Sequence, residues 1–154
     1  MRITSYRVEI NSERLNILVK EKATNYDGTR LNSPDLIVRM FINLFQLDKL
    51  AEESVYILAM DVKSHPVAVF LLSKGTVCAS IVSPREIFIR LLLCGATNFV
   101  LVHNHPSGDP TPSNEDLFAT KRVKEVGELI NIKIIDHIVI GYDTYWSLRE
   151  HDQL

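Results

Sequence analysis

The sequence lacks the features that would place the chain in a specialised class of protein. Its two cysteines, Cys78 and Cys94, do not form a Cys-x-x-Cys pair and cannot make a disulfide framework, so we expect a reducing, cytoplasmic compartment. The N-terminus has no apolar core of the signal-peptide kind, and the longest apolar runs are too short to cross a bilayer. Neither standard glycine-rich phosphate loop is present, which argues against a nucleotide site.

The chain also lacks an excess of charge of either sign. Its 154 residues carry a net charge of −2, so nucleic-acid binding would need a local basic patch. The basic run at residues 121–124 fits either a solvated helix face or a phosphate contact. The fractions of hydrophobic residues (46%) and charged residues (23%) are those of an ordinary globular domain.

Hydrophobic periodicity predicts strands and helices that alternate along most of the chain. Strands are predicted at residues 6–10, 15–19, 54–60, 67–72, 77–82, 99–102 and 132–140. Helices are predicted to begin at Ser33-Pro34, Ser83-Pro84 and Ser113, where a serine can act as N-cap. This order indicates an α/β or α+β fold in which helices pack against a mixed β-sheet.

The most informative stretch joins the strand at residues 99–102 to the helix after Ser113. Residues i and i+2 of a strand face the same side, so His103 and His105 can point at one position. Asp116 falls in the first turn of the helix, where negative charge is favoured. Two imidazoles and a carboxylate form a three-ligand set of the catalytic zinc type, although manganese, iron or nickel could also bind it.

Structural interpretations exist for each part of this stretch. Ser113 and Asp116 are spaced as a helix cap, and residues 106–110 can form a rigid turn without any further role. Neither a cap nor a turn requires two histidines at a strand exit, so the combination favours a metal site. His137 lies beside Asp136 in an apolar strand and fits either a satisfied core histidine or a contact to the site.

The same stretch resembles a known family motif. The pattern His103-x-His105-Pro106 followed by Ser113-x-x-Asp116 is similar to that of JAMM-type (MPN-domain) metallopeptidases. The fuller sequence of residues 103–113 resembles the bacterial RadC family, historically described as DNA repair proteins. The blocks at residues 84–86 and 136–141 are similar to that family as well.

This resemblance covers about residues 30–150 and is looser before Glu53. It implies an MPN/JAMM-like sheet with a cytidine-deaminase-like architecture. We therefore predict a RadC-like JAMM/MPN domain at residues 51–154. Residues 1–50 are predicted to form a strand and helix extension that packs on this domain.

The resemblance also implies roles for individual residues. His103, His105 and Asp116 would ligate one zinc ion, and the acid of the family falls on Glu53, which would act as general base toward the attacking water. Ser113 would donate a hydrogen bond to the oxyanion. The reaction implied is hydrolysis of a peptide or isopeptide bond.

The residues alone do not select Glu53 as the base. Glu52, Asp61 and Glu86 are competing acids. Glu86 fits a capping box with Ser83, Asp61 can cap a turn, and Glu52 would face the other side of an extended strand.

Three functions stay open at this point: a zinc hydrolase, a DNA-associated accessory protein, and a non-catalytic MPN-like binding module. Longer RadC members carry a helix-hairpin-helix region, and no such glycine pattern is visible before Glu53, which weakens direct DNA binding. Non-catalytic scaffolds usually lack metal ligands, whereas this chain keeps them all. We expect a protein or peptide substrate, with DNA or repair proteins as weaker partners and no membrane.

Overall fold

A mixed β-sheet is the centre of the computed structural model, which describes residues 1–28, 30–75 and 83–154. Its strands are β1 (Arg2–Ile10), β2 (Asn16–Asn25), β3 (Ser54–Met60), β4 (Pro66–Lys74), β5 (Asn98–Asn104), β6 (Lys133–Ile140) and β7 (Tyr145–Ser147). Their order in the sheet is β2-β1-β4-β3-β5-β6-β7. The pairs β1–β4 and β5–β6 are parallel and the others antiparallel, which confirms the predicted mixed sheet.

Helices cover both faces of this sheet. They are α1 (Pro34–Phe45), α2 (Pro84–Leu93) and α3 (Asn114–Ile130), with a short 3-10 helix at Leu47–Lys49. One apolar core joins Ile87 of α2 and Val123 of α3 to Leu101 of β5. A second core, on the opposite face, joins Phe41 of α1 to Val102 of the same strand. Alternate residues of β5 therefore face different helices, which decides where the polar residues at its end point.

The capping box considered for Ser83 and Glu86 at the start of α2 is absent. The Ser83 side chain makes no capping hydrogen bond, and the Glu86 carboxylate pairs with Arg85 and Arg90. The strand predicted at residues 77–82 lies outside the described residues.

Residues 1–50 provide β1, β2 and α1, and β1 is hydrogen-bonded to β4. The boundary at residue 50 stays a prediction. Among the described residues, no helix combines the length and the apolar character needed to cross a membrane.

Candidate metal centre

The crossing from β5 to α3 places the predicted ligands at one end of the sheet. Strand β5 continues two residues beyond the predicted end, through His103 and Asn104. His103 shares the face of Leu101, which packs in the core beneath α2 and α3, while Asn104 faces the other side. His105 follows directly, and its N–H donates to the carbonyl oxygen of Ile140 at the end of β6.

Four predicted site residues meet at this point. Glu53, His103, His105 and Asp116 each offer a ligand atom, and these atoms lie within 4.8 Å of one another. The Nε2 atoms of the two histidines are 3.0 Å apart. His103 Nε2 lies 3.5 Å from Asp116 Oδ1 and 3.8 Å from Glu53 Oε1. His103 is buried, whereas part of each of the other three side chains is exposed to solvent.

The spacing of these atoms fits a metal ion. Ligand bonds of 2.0–2.1 Å in a tetrahedral zinc site separate the ligand atoms by roughly 3.3 Å. The observed separations are 3.0 Å between the two histidine Nε2 atoms and 3.5 Å between His103 Nε2 and Asp116 Oδ1, the oxygen that Ser113 leaves free. Nitrogen and carboxylate donors are a set that zinc and its first-row neighbours accept. The donor atoms and their separations therefore both fit a bound metal ion, and more than one first-row metal would satisfy them.

Asp116 is held by the start of α3. Ser113 is the N-cap, and its hydroxyl oxygen accepts a hydrogen bond from the Asp116 N–H at 3.1 Å. In return, Asp116 Oδ2 accepts from the Ser113 N–H at 2.8 Å and from its hydroxyl at 2.7 Å. This capping box confirms the cap predicted from the sequence and leaves Oδ1 directed at His103.

Hydrogen bonding keeps the Asp116 carboxylate ionised. Burial acts to raise its pKa, but the nearby imidazoles of His105 and His103 and the hydrogen bonds from Ser113 lower it well below the usual value. A carboxylate that stays charged over the whole physiological range is a suitable metal ligand.

His105 is oriented by the turn that follows it. Its Nδ1 lies 2.8 Å from the carbonyl oxygen of Asp109. A carbonyl oxygen only accepts, so Nδ1 donates and Nε2 is the atom turned to the site. The Asp116 carboxylate, whose Oδ2 lies 3.6 Å from His105 Nε2, is the main reason that the pKa of His105 is raised.

Glu53 reaches the group through the register of the sheet. Val55 of β3 pairs with His103 of β5, so Glu53, two residues earlier, comes opposite His105. Burial is the main cause that raises the pKa of its carboxyl group; the charge of Asp116 adds to the rise and that of His105 opposes it. A raised carboxyl pKa is the direction that suits a general base.

The competing acids lie elsewhere. Glu52 is exposed and pairs with Lys74 at 3.5 Å. Asp61 accepts from the N–H groups of Lys63 and His65 in the turn after β3. Of the four acids weighed from the sequence, Glu53 is the one that lies beside the histidines, and its role stays a prediction.

Asn104 holds the backbone that carries Glu53. Its Oδ1 accepts from the Ser54 N–H at 2.9 Å, and its Nδ2 donates to the carbonyl oxygens of Leu50 and Glu52, both at 3.3 Å. Sequence analysis missed this residue. The signal was present, because a polar residue between two histidines of one strand must point to the opposite face.

His137 lies behind the candidate metal centre and contacts His103. Its Nε2 is 2.8 Å from His103 Nδ1, and its Nδ1 is 2.6 Å from the Thr120 hydroxyl. It is thus a buried, satisfied histidine and a contact to the site at once, the two interpretations left open by the sequence. Thr120 was not among the predicted site residues; its spacing of four residues from Asp116 was the available signal.

Comparisons with known proteins agree with this geometry. The family model described as a RadC-like JAB domain matches residues 31–153. A UPF0758 protein of Finegoldia magna is 40% identical over 124 residues, which cover 80% of this chain and 55% of that protein. For the UPF0758 protein of Alkaliphilus metalliredigens the identity is 39% over 125 residues, or 81% of this chain and 53% of the relative. The chain spans about half the length of the curated relatives it matches.

Proposed function

The chain belongs to the RadC-like JAB domain family, and from that premise we propose that it is a zinc-dependent hydrolase of the JAMM type. The observation that carries the proposal is the convergence of Glu53, His103, His105 and Asp116 within 4.8 Å. Three of these side chains supply ligands with a position left over, which is the arrangement of catalytic rather than structural zinc.

The two histidines and Asp116 would hold the ion. When bound, zinc acidifies a water molecule and polarises a substrate carbonyl near neutral pH. His105 Nε2 and His103 Nε2 face the same point, and Asp116 offers Oδ1 while its Oδ2 stays bonded to Ser113.

Glu53 would accept the proton of the attacking water and return it to the leaving amine. Its Oε1 lies 3.8 Å from His103 Nε2, close to the site but too far for a direct hydrogen bond. Burial raises the pKa of its carboxyl group, which makes the carboxylate a better proton acceptor and the acid a usable donor in the next step.

Ser113 would donate to the oxyanion of the tetrahedral intermediate. Its hydroxyl now donates to Asp116 Oδ2 at 2.7 Å, so it would have to turn toward the substrate. The Ser113 N–H would keep its own 2.8 Å bond to the same oxygen, and Asp116 would remain in place. The cap and the oxyanion contact can therefore use the same residue in succession.

The substrate class proposed is a protein or peptide, cut at a peptide or isopeptide bond. This class follows from the resemblance to JAMM enzymes, and the choice among sequences within it belongs to the cleft walls rather than to the metal centre. Cytoplasmic action is proposed on the basis of cysteine usage: Cys94 is a free thiol.

The test begins with metal content and ends with turnover. Purified protein should hold about one zinc per chain, and the double variant His103→Ala, His105→Ala should lose it. Loaded protein is then offered fluorogenic peptide and lysine-isopeptide libraries. Glu53→Gln should keep zinc but lose about 100-fold or more in rate, while Glu52→Gln, the matched control, should behave as the parent does.

Two outcomes would contradict the proposal. Protein that never retains zinc after loading would exclude the metal centre. Zinc-loaded protein that cuts no member of either library would exclude the hydrolase. Glu53→Gln protein that cuts as fast as the parent would exclude Glu53 as the base.

A further inference from the structure

A buried chain of hydrogen bonds runs from α3 through His137 to the metal centre. Asp116 O lies 2.6 Å from Thr120 Oγ1, which lies 2.6 Å from His137 Nδ1. His137 Nε2 lies 2.8 Å from His103 Nδ1. Thr120, His137 and His103 are each at most 3% exposed, so water does not compete for these bonds. Each contact needs one hydrogen, and the direction of the first decides the rest.

The direction is set by the backbone. The carbonyl oxygen of Asp116 can only accept, so the single hydroxyl hydrogen of Thr120 points to it, as threonines within helices commonly do. The Thr120 oxygen must then accept from His137, which places a hydrogen on His137 Nδ1. The reverse direction would leave two acceptors 2.6 Å apart with no hydrogen between them.

The same logic reaches the metal ligand. A neutral His137 with its hydrogen on Nδ1 has a lone pair on Nε2, which accepts from His103 Nδ1. Both rings are buried, and an imidazole is neutral at mildly alkaline pH, so each ring carries a single hydrogen under those conditions. His103 then keeps a lone pair on Nε2, 3.0 Å from His105 Nε2. Because His105 Nδ1 donates to the carbonyl oxygen of Asp109, this short contact needs a shared proton or a metal ion between the two Nε2 atoms.

We infer that Thr120 and His137 are positioning residues that fix His103 in the tautomer whose Nε2 can bind a metal ion. His137 is not itself a ligand, because Thr120 and His103 occupy both of its nitrogens. The relay starts from the carbonyl of Asp116, so one ligand residue sets the tautomer of another through two intermediates. The metal-binding part of this inference rests on the proposed function, whereas the tautomers are a property of the metal-free protein.

Tautomers are measured directly by long-range ¹H–¹⁵N NMR of protein labelled with ¹⁵N-histidine, in chelator and at mildly alkaline pH. We expect His103 and His137 to carry hydrogen on Nδ1. Thr120→Val keeps the shape and removes the hydroxyl, so both rings should lose their single tautomer, while Thr120→Ser should restore it. His105 is an internal control, because its Nδ1 is held by Asp109 O and not by the relay.

Zinc affinity, measured by competition with a chromophoric chelator, gives a second readout. Loss of a partner behind a ligand typically weakens binding about 10- to 100-fold, which we expect for Thr120→Val but not for Thr120→Ser. A cobalt-loaded sample should show altered visible absorption in the same variant.

A wild-type His103 with its hydrogen on Nε2 would overturn the inference, as would a Thr120→Val protein with unchanged tautomers and zinc affinity. These results differ from failure of the proposed function, in which the relay would behave as described but no substrate would be cut. Urea unfolding of each variant verifies that the comparison is made between folded proteins.

Discussion

Asn104 provides the sharpest test of how the fold positions Glu53. Its side chain bonds three backbone groups of the segment between the 3-10 helix and β3: the Ser54 N–H and the carbonyls of Leu50 and Glu52. Asn104 is 2% exposed and Ser54 is 1% exposed, so water cannot replace these bonds. Asn104→Leu removes all three and keeps the branched shape of the side chain.

The expected cost follows from these contacts. A buried N–H left without a partner costs about 1–3 kcal/mol, and the two longer bonds to carbonyls add about 1 kcal/mol together. Asn104→Leu should therefore lower the free energy of unfolding by about 2–4 kcal/mol. For a chain of this length that corresponds to a fall in Tm of about 5–15 °C.

The assay is urea and thermal unfolding beside Asn98→Leu, the matched control. Asn98 lies at the other end of β5, and within the described part of the chain its side chain makes one hydrogen bond, from Nδ2 to the carbonyl of Asp61 at 3.1 Å. Its loss should cost about 1 kcal/mol. Asn104→Leu should also keep zinc, since the ligand side chains face away from Asn104. It should lose turnover, because the backbone that carries Glu53 is no longer held. Equal destabilisation by the two variants would refute the reasoning.

Two further perturbations test the surroundings of the site. The folded-state pKa of His137 lies at about 4, below its usual 6.5, so the unfolded chain binds more protons than the folded chain between these pH values. The free energy of unfolding of metal-free protein should therefore fall as the pH drops through this window. In His137→Gln this dependence on pH should be weaker. Gly141→Ala would place a Cβ 2.3 Å from the carbonyl oxygen of Gly108, in the turn that orients His105, and should weaken zinc binding. Gly127→Ala creates a similar clash, 2.4 Å from the carbonyl oxygen of Ile132, and should lower stability without weakening zinc binding. Equal zinc affinities in the Gly141→Ala and Gly127→Ala variants would contradict this account.

Short-range sequence patterns predict the parts of the site whose residues are close together in the chain. His103 and His105 share a direction because they are two residues apart at the end of an apolar strand. Ser113 and Asp116 form a capping box because their spacing matches N-cap and N3. The same capping-box spacing is present at Ser83 and Glu86, but there the Glu86 side chain pairs with Arg85 and Arg90 instead.

Long-range pairing explains what sequence alone could not supply. Glu53 meets the histidines only through the register of β3 against β5, which fifty residues separate along the chain. His137 meets His103 only because β6 runs parallel to β5, a choice that depends on the crossover through α3. The resemblance to a family selected Glu53, and nothing in residues 51–54 taken alone distinguishes it from Glu52.

The charge balance of the site itself calls for a cation. Among the described residues, the ion-pair partners of the Glu53 and Asp116 carboxylates are the two imidazoles. His103 is buried and its pKa is lowered, so it does not supply positive charge near neutral pH. His105 is the remaining source, and its raised pKa shows that a proton is drawn to the point where a metal ion would bind. Since metal and proton compete for His105 Nε2, zinc affinity must increase with pH until that ring is neutral.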